Sequence, residues 1–241
     1  MSAVPLVLLA GMNCTADLWA GCGLDDALTP ELTEESIDAQ VEHLLDTLPP
    51  TFVLGGLSLG AIVAMALIAR APSRVAGLCL VSTNAKAPTD EQRRSWRGWI
   101  DRLDRGESAR SLQESIIDAL LTPRIVVDRP DLVARTAAMG ESTGAEALRA
   151  QLSMQATRTD QRPGLRAVRV PTLVVSGAHD TVCPPSFHVE IANEVRGARV
   201  VSLDAGHLLP LVQPAAFGAL VRSWRDRRLS PAGSAAYVSG P

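Results

Sequence analysis

The chain contains no Cys-x-x-Cys pair. Its four cysteines, Cys14, Cys22, Cys79 and Cys183, are scattered, and no histidine cluster accompanies them. Such spacing argues against a structural zinc site and against a disulfide framework, and the four residues read as reduced thiols. Long hydrophobic runs are also missing, so no stretch is able to span a bilayer as a helix. The apolar run within residues 1–10 has no basic leader before it and no cleavage region after it, and reads as a first core strand rather than a signal peptide. The expected compartment is therefore the cytoplasm, with no membrane partner. Charge of one sign is lacking too: the formal net charge is −3, too mild to hold a polyanion, and nucleic acid is not an expected partner.

What is present suffices for a sizeable core. Hydrophobic residues make up 46% of 241 positions, a length that α/β folds commonly fill as one domain. Pro5–Leu9 reads as a strand, and Ala27–Glu31 as a poorer one with Pro30 inside it. Thr33 is placed to cap a helix reaching about Leu48, because Ile37, Val41, Leu44, Leu45 and Leu48 share a face and Glu34 and Glu35 suit its amino end. Pro49 and Pro50 stop that helix. Phe52–Gly55 is strand-like, Ile62–Ala69 is helical and apolar on nearly every side, and Val75–Ser82 is strand-like again. This alternation predicts an α/β fold with a mostly parallel central sheet and helices on both faces.

From 84 to 165 the alternation lapses into four helical patterns, which predicts a helical lid inserted between core segments 1–83 and 166–228. Thr89-x-x-Gln92 and Thr143-x-x-Glu146 fit capping boxes, Gly106 and Gly140 suit helix ends, and Pro130 suits a first helical turn. Leu112, Ile116, Ala119 and Leu120 form an apolar face on the second lid helix. Residues 229–241, rich in Ser, Ala, Gly and Pro, are expected to be a disordered tail.

Chemistry is concentrated at one junction. Gly56-Leu57-Ser58-Leu59-Gly60 stands directly between the strand-like run at Phe52 and the apolar helix. A serine nucleophile needs a turn sharp enough to lift its Oγ clear of the sheet, and flanking glycines let strand and helix backbones pass closely. The serine also needs a base and an acid that orients the base, in the chain order Ser, Asp or Glu, His. Thr172–Gly177 is a buried-strand pattern ending at Ala178-His179-Asp180, and Ala198–Leu203 is another, ending at Asp204-Ala205-Gly206-His207. His207 is the expected general base and Asp180 the expected acid, with Asp204 its nearest competitor. His43, His179 and His188 read as structural or exposed.

Four segments carry a resemblance to a known family: Leu8–Trp19, Gly56–Gly60, Gly177–Asp180 and Ala205–His207. The chain resembles the α/β-hydrolase superfamily, in particular its lidded bacterial serine esterases, among them carboxylesterases, pimeloyl-carrier-protein methyl esterases and enol-lactonases. The likeness covers about residues 3–227. It implies acyl transfer to water from a small-molecule ester or thioester through a Ser58, His207 and Asp180 triad, with no metal or organic cofactor. It also implies an oxyanion hole made by the backbone N–H groups of Met12 and Leu59. Ala10-Gly11 stands where the family usually has His-Gly; because both donors belong to the main chain, that change need not empty the hole. A non-hydrolytic acyltransferase or cyclase on the same scaffold, and a binding protein with a silent triad, remain the alternatives.

Substrate selection is expected in the lid. Trp96 and Trp99, one helical turn apart, either wall an acyl pocket above Ser58 or pack the lid on the core, and Met139 and Met154 raise the same question. Arg93, Arg94, Arg97, Arg102, Arg105 and Arg110 either dock an acyl-carrier protein or coenzyme A thioester, or form a solvated face with Asp90, Glu91, Asp101, Asp104 and Glu107 interspersed.

Overall fold

Strands that are buried on both faces must be apolar at every position, and four of the five strands here nearly are. In the computed structural model, which describes residues 4–229, β1 (Leu6–Leu9), β2 (Phe52–Leu57), β3 (Val75–Val81), β4 (Thr172–Gly177) and β5 (Arg199–Leu203) form one parallel sheet in that spatial order. β5 is the half-exposed edge. The expected strand at 27–31 is reduced to a single bridge, Val7 to Leu28, outside β1. Pro30 explains its failure to extend, since it has no N–H for a ladder.

Alternate strand residues separate two cores. Val7, Leu9, Leu54, Leu80 and Val174 face α1 (Ile37–Thr47) and α2 (Leu59–Arg70), along with Ile191 of a later helix. Leu6, Leu8, Val53, Cys79 and Val175 face a second layer that includes Phe217, Val221 and Trp224, with Trp19 stacked on Phe217 at 5.8 Å between ring centroids. α1 starts later than its sequence suggests. Ser36, not Thr33, is the cap, its side chain accepting from Ala39 N–H at 3.1 Å. Oε1 of the buried Gln40 side chain instead accepts from the Thr33 and Glu34 amides, which holds that segment outside the helix.

Between β3 and β4 lies a large helical insertion: α3 (Asp90–Asp104), α4 (Ala109–Glu114), α5 (Ile117–Leu121), α6 (Pro123–Asp128), α7 (Pro130–Thr157) and α8 (Arg162–Leu165). The Thr89 and Gln92 capping box forms at α3, Gly106 follows its end with φ +90°, and Pro130 opens α7. The second capping box does not form. Thr143 Oγ1 turns back to the Met139 carbonyl at 3.0 Å, and α7 continues through a kink at Gly144. Gly140 lies inside α7, not at a helix end, pressed against α4; an added Cβ there meets Gln113 Cβ at 2.9 Å. The face expected on one second lid helix is divided between α4 and α5. After the insertion come α9 (Pro185–Glu194), α10 (Leu209–Val212) and α11 (Pro214–Leu229). Leu229 thus closes a helix, and the rest of the expected tail, 230–241, lies outside the described residues.

Candidate active site

Parallel strands deliver all their carboxyl ends to one edge of the sheet, so the loops after β1, β2, β4 and β5 gather there. The sharpest follows β2. Ser58 has φ 53° and ψ −113°, a conformation that L residues rarely occupy, and α2 begins at the next residue. The turn is anchored on both sides. Ser58 N–H donates to the Val81 carbonyl at 2.9 Å, and its own carbonyl accepts from Thr83 Oγ1 at 3.0 Å. Glycines are obligatory beside it: a Cβ at Gly56 meets the Gly60 backbone at 2.4 Å, and one at Gly60 meets the Leu9 carbonyl at 2.2 Å.

The loops after β4 and β5 are tied together by main-chain bonds, Ala178 N–H to the Leu203 carbonyl at 2.8 Å and His179 N–H to the Ala205 carbonyl at 3.0 Å. That pairing brings Asp180 to His207, with Asp180 Oδ2 2.8 Å from His207 Nδ1 and both side chains buried. Asp180 Oδ1 accepts from the Val182 and Cys183 amides at 2.9 and 2.8 Å, so the carboxylate is fully engaged. An ionised carboxylate only accepts, so this pairing suits the imidazole tautomer with its proton on Nδ1 and its lone pair on Nε2. Asp204 goes elsewhere. It is exposed and pairs with the exposed His179, Oδ1 to Nε2 at 2.7 Å.

Ser58 and His207 line the same cavity, of about 150 Å³. Met12 lines it as well, in a turn where Cys14 N–H donates to the Gly11 carbonyl at 3.2 Å. Among the described residues neither Met12 N–H nor Leu59 N–H has a protein acceptor. Asn13, buried with φ 57°, pins this turn to the insertion. Its N–H donates to Gln151 Oε1 at 2.8 Å, and its Nδ2 donates to the Ala109 carbonyl at 2.9 Å and to Gln113 Oε1 at 3.0 Å.

Of the four expected pocket residues, Trp96 borders the cavity. Trp99 packs with Leu103, Leu112 and Leu148 inside the insertion, Met139 lies in the core that faces α11, and Met154 lies in the core that faces α2. The cavity wall also carries polar groups with no sequence signature: Thr83, Asn84, Gln155 and Arg158. Arg158 follows α7 in a polar stretch that reads as ordinary surface, and only packing reveals that it is buried. Its guanidinium lies over the Trp96 ring, 5.2 Å from the centroid, and burial pulls its pKa down to about 10, still cationic at neutral pH.

His188 supports the serine turn from behind. Nε2 accepts from Thr83 N–H at 3.0 Å while Nδ1 lies 3.3 Å from the Pro184 carbonyl, and burial lowers its pKa to about 4, keeping it neutral. Cys14 and Cys183 reach the cavity as protonated thiols, burial pushing each up to about 12. Among the described residues, no three His, Cys, Asp or Glu side chains are grouped to hold a metal ion, and no helix is long and apolar enough to cross a membrane. Of the insertion's arginines, Arg102 pairs with Glu107 at 2.6 Å and Arg110 with Glu114 and Glu141 at 3.0 and 2.8 Å, while Arg93 Nη1 bonds the Ala156 carbonyl.

A model of the alpha/beta hydrolase family matches residues 13–220. The chain belongs to that family. This chain is similar to a pimeloyl-[acyl-carrier protein] methyl ester esterase of Neisseria meningitidis serogroup A, 27% identical over 201 residues that cover 80% of this chain. The match spans only 61% of that relative's length. Its fold is similar to that of a thermophilic esterase from Thermogutta terrifontis solved with malate bound, with a TM-score of 0.83 and 26% identity over 94% of this chain and 90% of the other. An enol-lactonase from Burkholderia xenovorans shares the fold at a TM-score of 0.79 and 23% identity, covering 93% of this chain and 92% of its own.

Proposed function

We propose that this protein is a hydrolase that cleaves a small-molecule carboxylic ester or acyl thioester, with Ser58 as nucleophile, His207 as general base and Asp180 as the acid that orients it. The observation that carries this reading is the shared cavity: a serine on a strained strand-to-helix turn faces the same small space as an imidazole already paired with a buried carboxylate. Similarity to an acyl-carrier-protein methyl ester esterase and to a thermophilic esterase supports the substrate class.

In the proposed sequence, Ser58 Oγ attacks the acyl carbonyl as His207 Nε2 takes the hydroxyl proton. Asp180 stabilises the imidazolium and holds its tautomer, and the Met12 and Leu59 amides stabilise the oxyanion. His207 returns the proton to the departing alcohol or thiol. Water, deprotonated in turn by His207, then releases the acid and restores Ser58. The Arg102 and Arg110 ion pairs leave fewer of the insertion's cations for a carrier protein, and the reading requires only a small acyl substrate.

The test combines labelling with isotope tracing. A fluorophosphonate is expected to label the protein at Ser58 and not to label Ser58→Ala, and hydrolysis of short esters in water carrying oxygen-18 is expected to place one labelled oxygen in the released acid. Undiminished labelling of Ser58→Ala would overturn the nucleophile assignment, and a cyclised or transferred product free of label would replace the hydrolase reading with the cyclase or transferase alternative.

A further inference from the structure

Several arginines pair with a carboxylate, as Arg102, Arg135 and Arg162 do with Glu107, Asp17 and Asp160. Arg158 does not. It is only 5% exposed, yet among the described residues no carboxylate lies within 4 Å of it. Its two hydrogen bonds go to neutral amide oxygens, Nη1 to Gln155 Oε1 at 3.0 Å and Nη2 to Gln92 Oε1 at 2.9 Å, and Nε has no acceptor. A guanidinium has five N–H groups, so this one retains donors on all three nitrogens. Burying such a cation without a counter-charge is costly, and proteins ordinarily avoid it.

The position of Arg158 explains what the cation is for. It lines the Ser58 and His207 cavity, whose wall holds no Asp or Glu among the described residues. Burial is the main cause of its lowered pKa; the nearby Cys183 acts to raise it and Arg93 to lower it, and Cys183 is a protonated thiol, so neither neighbour supplies a carboxylate to the guanidinium. The plane of the guanidinium is fixed by the Trp96 ring beneath it and by the two glutamines beside it. Gln92 is itself held, because the same Oε1 accepts from Thr89 N–H in the α3 capping box. A planar, oriented and partly unsatisfied guanidinium is suited to a carboxylate.

We propose that Arg158 is a specificity-determining residue that binds a carboxylate at the far end of the acyl group, so that the preferred substrates are esters of short dicarboxylic acids. The cavity volume of about 150 Å³ is comparable to one that admits a benzene-sized ligand, and it suits an acyl chain of about four to six carbons. This proposal rests on the hydrolase reading above and deepens it.

The experiment compares ester pairs matched in acyl carbon number, with the purified full chain: monomethyl glutarate against methyl pentanoate, and monomethyl succinate against methyl butanoate. Charge-assisted hydrogen bonds predict kcat/KM about 10- to 100-fold higher for the acid-bearing member of each pair. Arg158→Gln is expected to reduce that ratio to near one, and Arg158→Lys to preserve part of it. A second measurement needs neither turnover nor a variant. Glutarate is expected to raise the melting temperature of the wild-type protein, whereas pentanoate and inorganic phosphate at the same concentration are not. Equal kcat/KM within each pair, an undiminished ratio in Arg158→Gln, or stabilisation by phosphate and not by glutarate overturns the proposal. The two readings fail separately. Ser58-dependent hydrolysis of methyl pentanoate without preference for the acid removes only the carboxylate site, while stabilisation by glutarate in a protein that hydrolyses none of these esters removes only the hydrolase reading.

Discussion

The Ser58 backbone costs roughly 1–3 kcal/mol, which the Val81 and Thr83 contacts hold in place, and strain of that size usually marks a position where geometry serves chemistry. The two aspartates test that geometry. Asp180→Asn is expected to lower kcat by about four orders of magnitude, since an amide supports the wrong imidazole tautomer, while Asp204→Asn, which touches only the exposed His179, should change kcat less than about threefold. Steady-state kinetics on a short ester checks both, and the reverse ranking would move the acid to the histidine loop. His188 gives a separate pH signature. Its pKa lies near 4 in the folded protein against an ordinary value of 6.5, so between those values the unfolded chain binds more protons. The stability it contributes is complete above about pH 6.5 and is lost as pH falls toward 4, on the order of 3 kcal/mol in all. Denaturation curves from pH 4 to 7 should show this slope in the wild type and lose it in His188→Gln, whose amide oxygen can still accept from Thr83.

Among elements, the turn after β1 is coupled to the insertion through Asn13, which joins the Met12 loop to α4 and to α7. Losing its side chain strands the Gln113 oxygen and the Ala109 carbonyl in the interior. Asn13→Ala is expected to cost about 2–4 kcal/mol in urea denaturation, because two buried bonds are lost and alanine tolerates the positive φ poorly. Asn13→Gly removes the same bonds but accepts the φ, and should be the less destabilised of the two; equal losses would mean that the backbone conformation contributes nothing.

On the scale of the whole molecule, the insertion roofs a small cavity over the carboxyl edge of the sheet, and its two neighbouring tryptophans have different surroundings. Trp96 borders the cavity and carries Arg158, whereas Trp99 packs against Leu103 and Leu112. Trp96→Ala should therefore raise kcat/KM for bulky acyl esters relative to acetyl esters. Trp99→Ala should leave that ratio alone and lower the melting temperature. A parallel loss on all substrates in both variants would make both tryptophans packing residues.

The parallel sheet, the serine turn and the order of the three proposed triad residues were legible because each is local: continuous apolar runs, a glycine-flanked serine between strand and helix, and loops directly after strands. Helix starts were less so. Thr33 looked like the cap of α1, but Gln40 reaches back from inside the helix to hold the Thr33 and Glu34 amides, a contact that no propensity encodes. Thr143 failed as a cap for the same kind of reason, since its hydroxyl found the Met139 carbonyl one turn earlier. The choice of Asp180 over Asp204 as the neighbour of His207 depended on how the loops after β4 and β5 cross. The burial of Arg158 depended on where the end of α7 meets α3 and the serine cavity. Local periodicity and turn chemistry thus determined the layers and the edge on which the site sits. Tertiary packing set Asp180, the acid expected from chain order, against His207 and Asp204 away from it, and buried Arg158 without a carboxylate, because both outcomes turn on contacts between residues tens of positions apart.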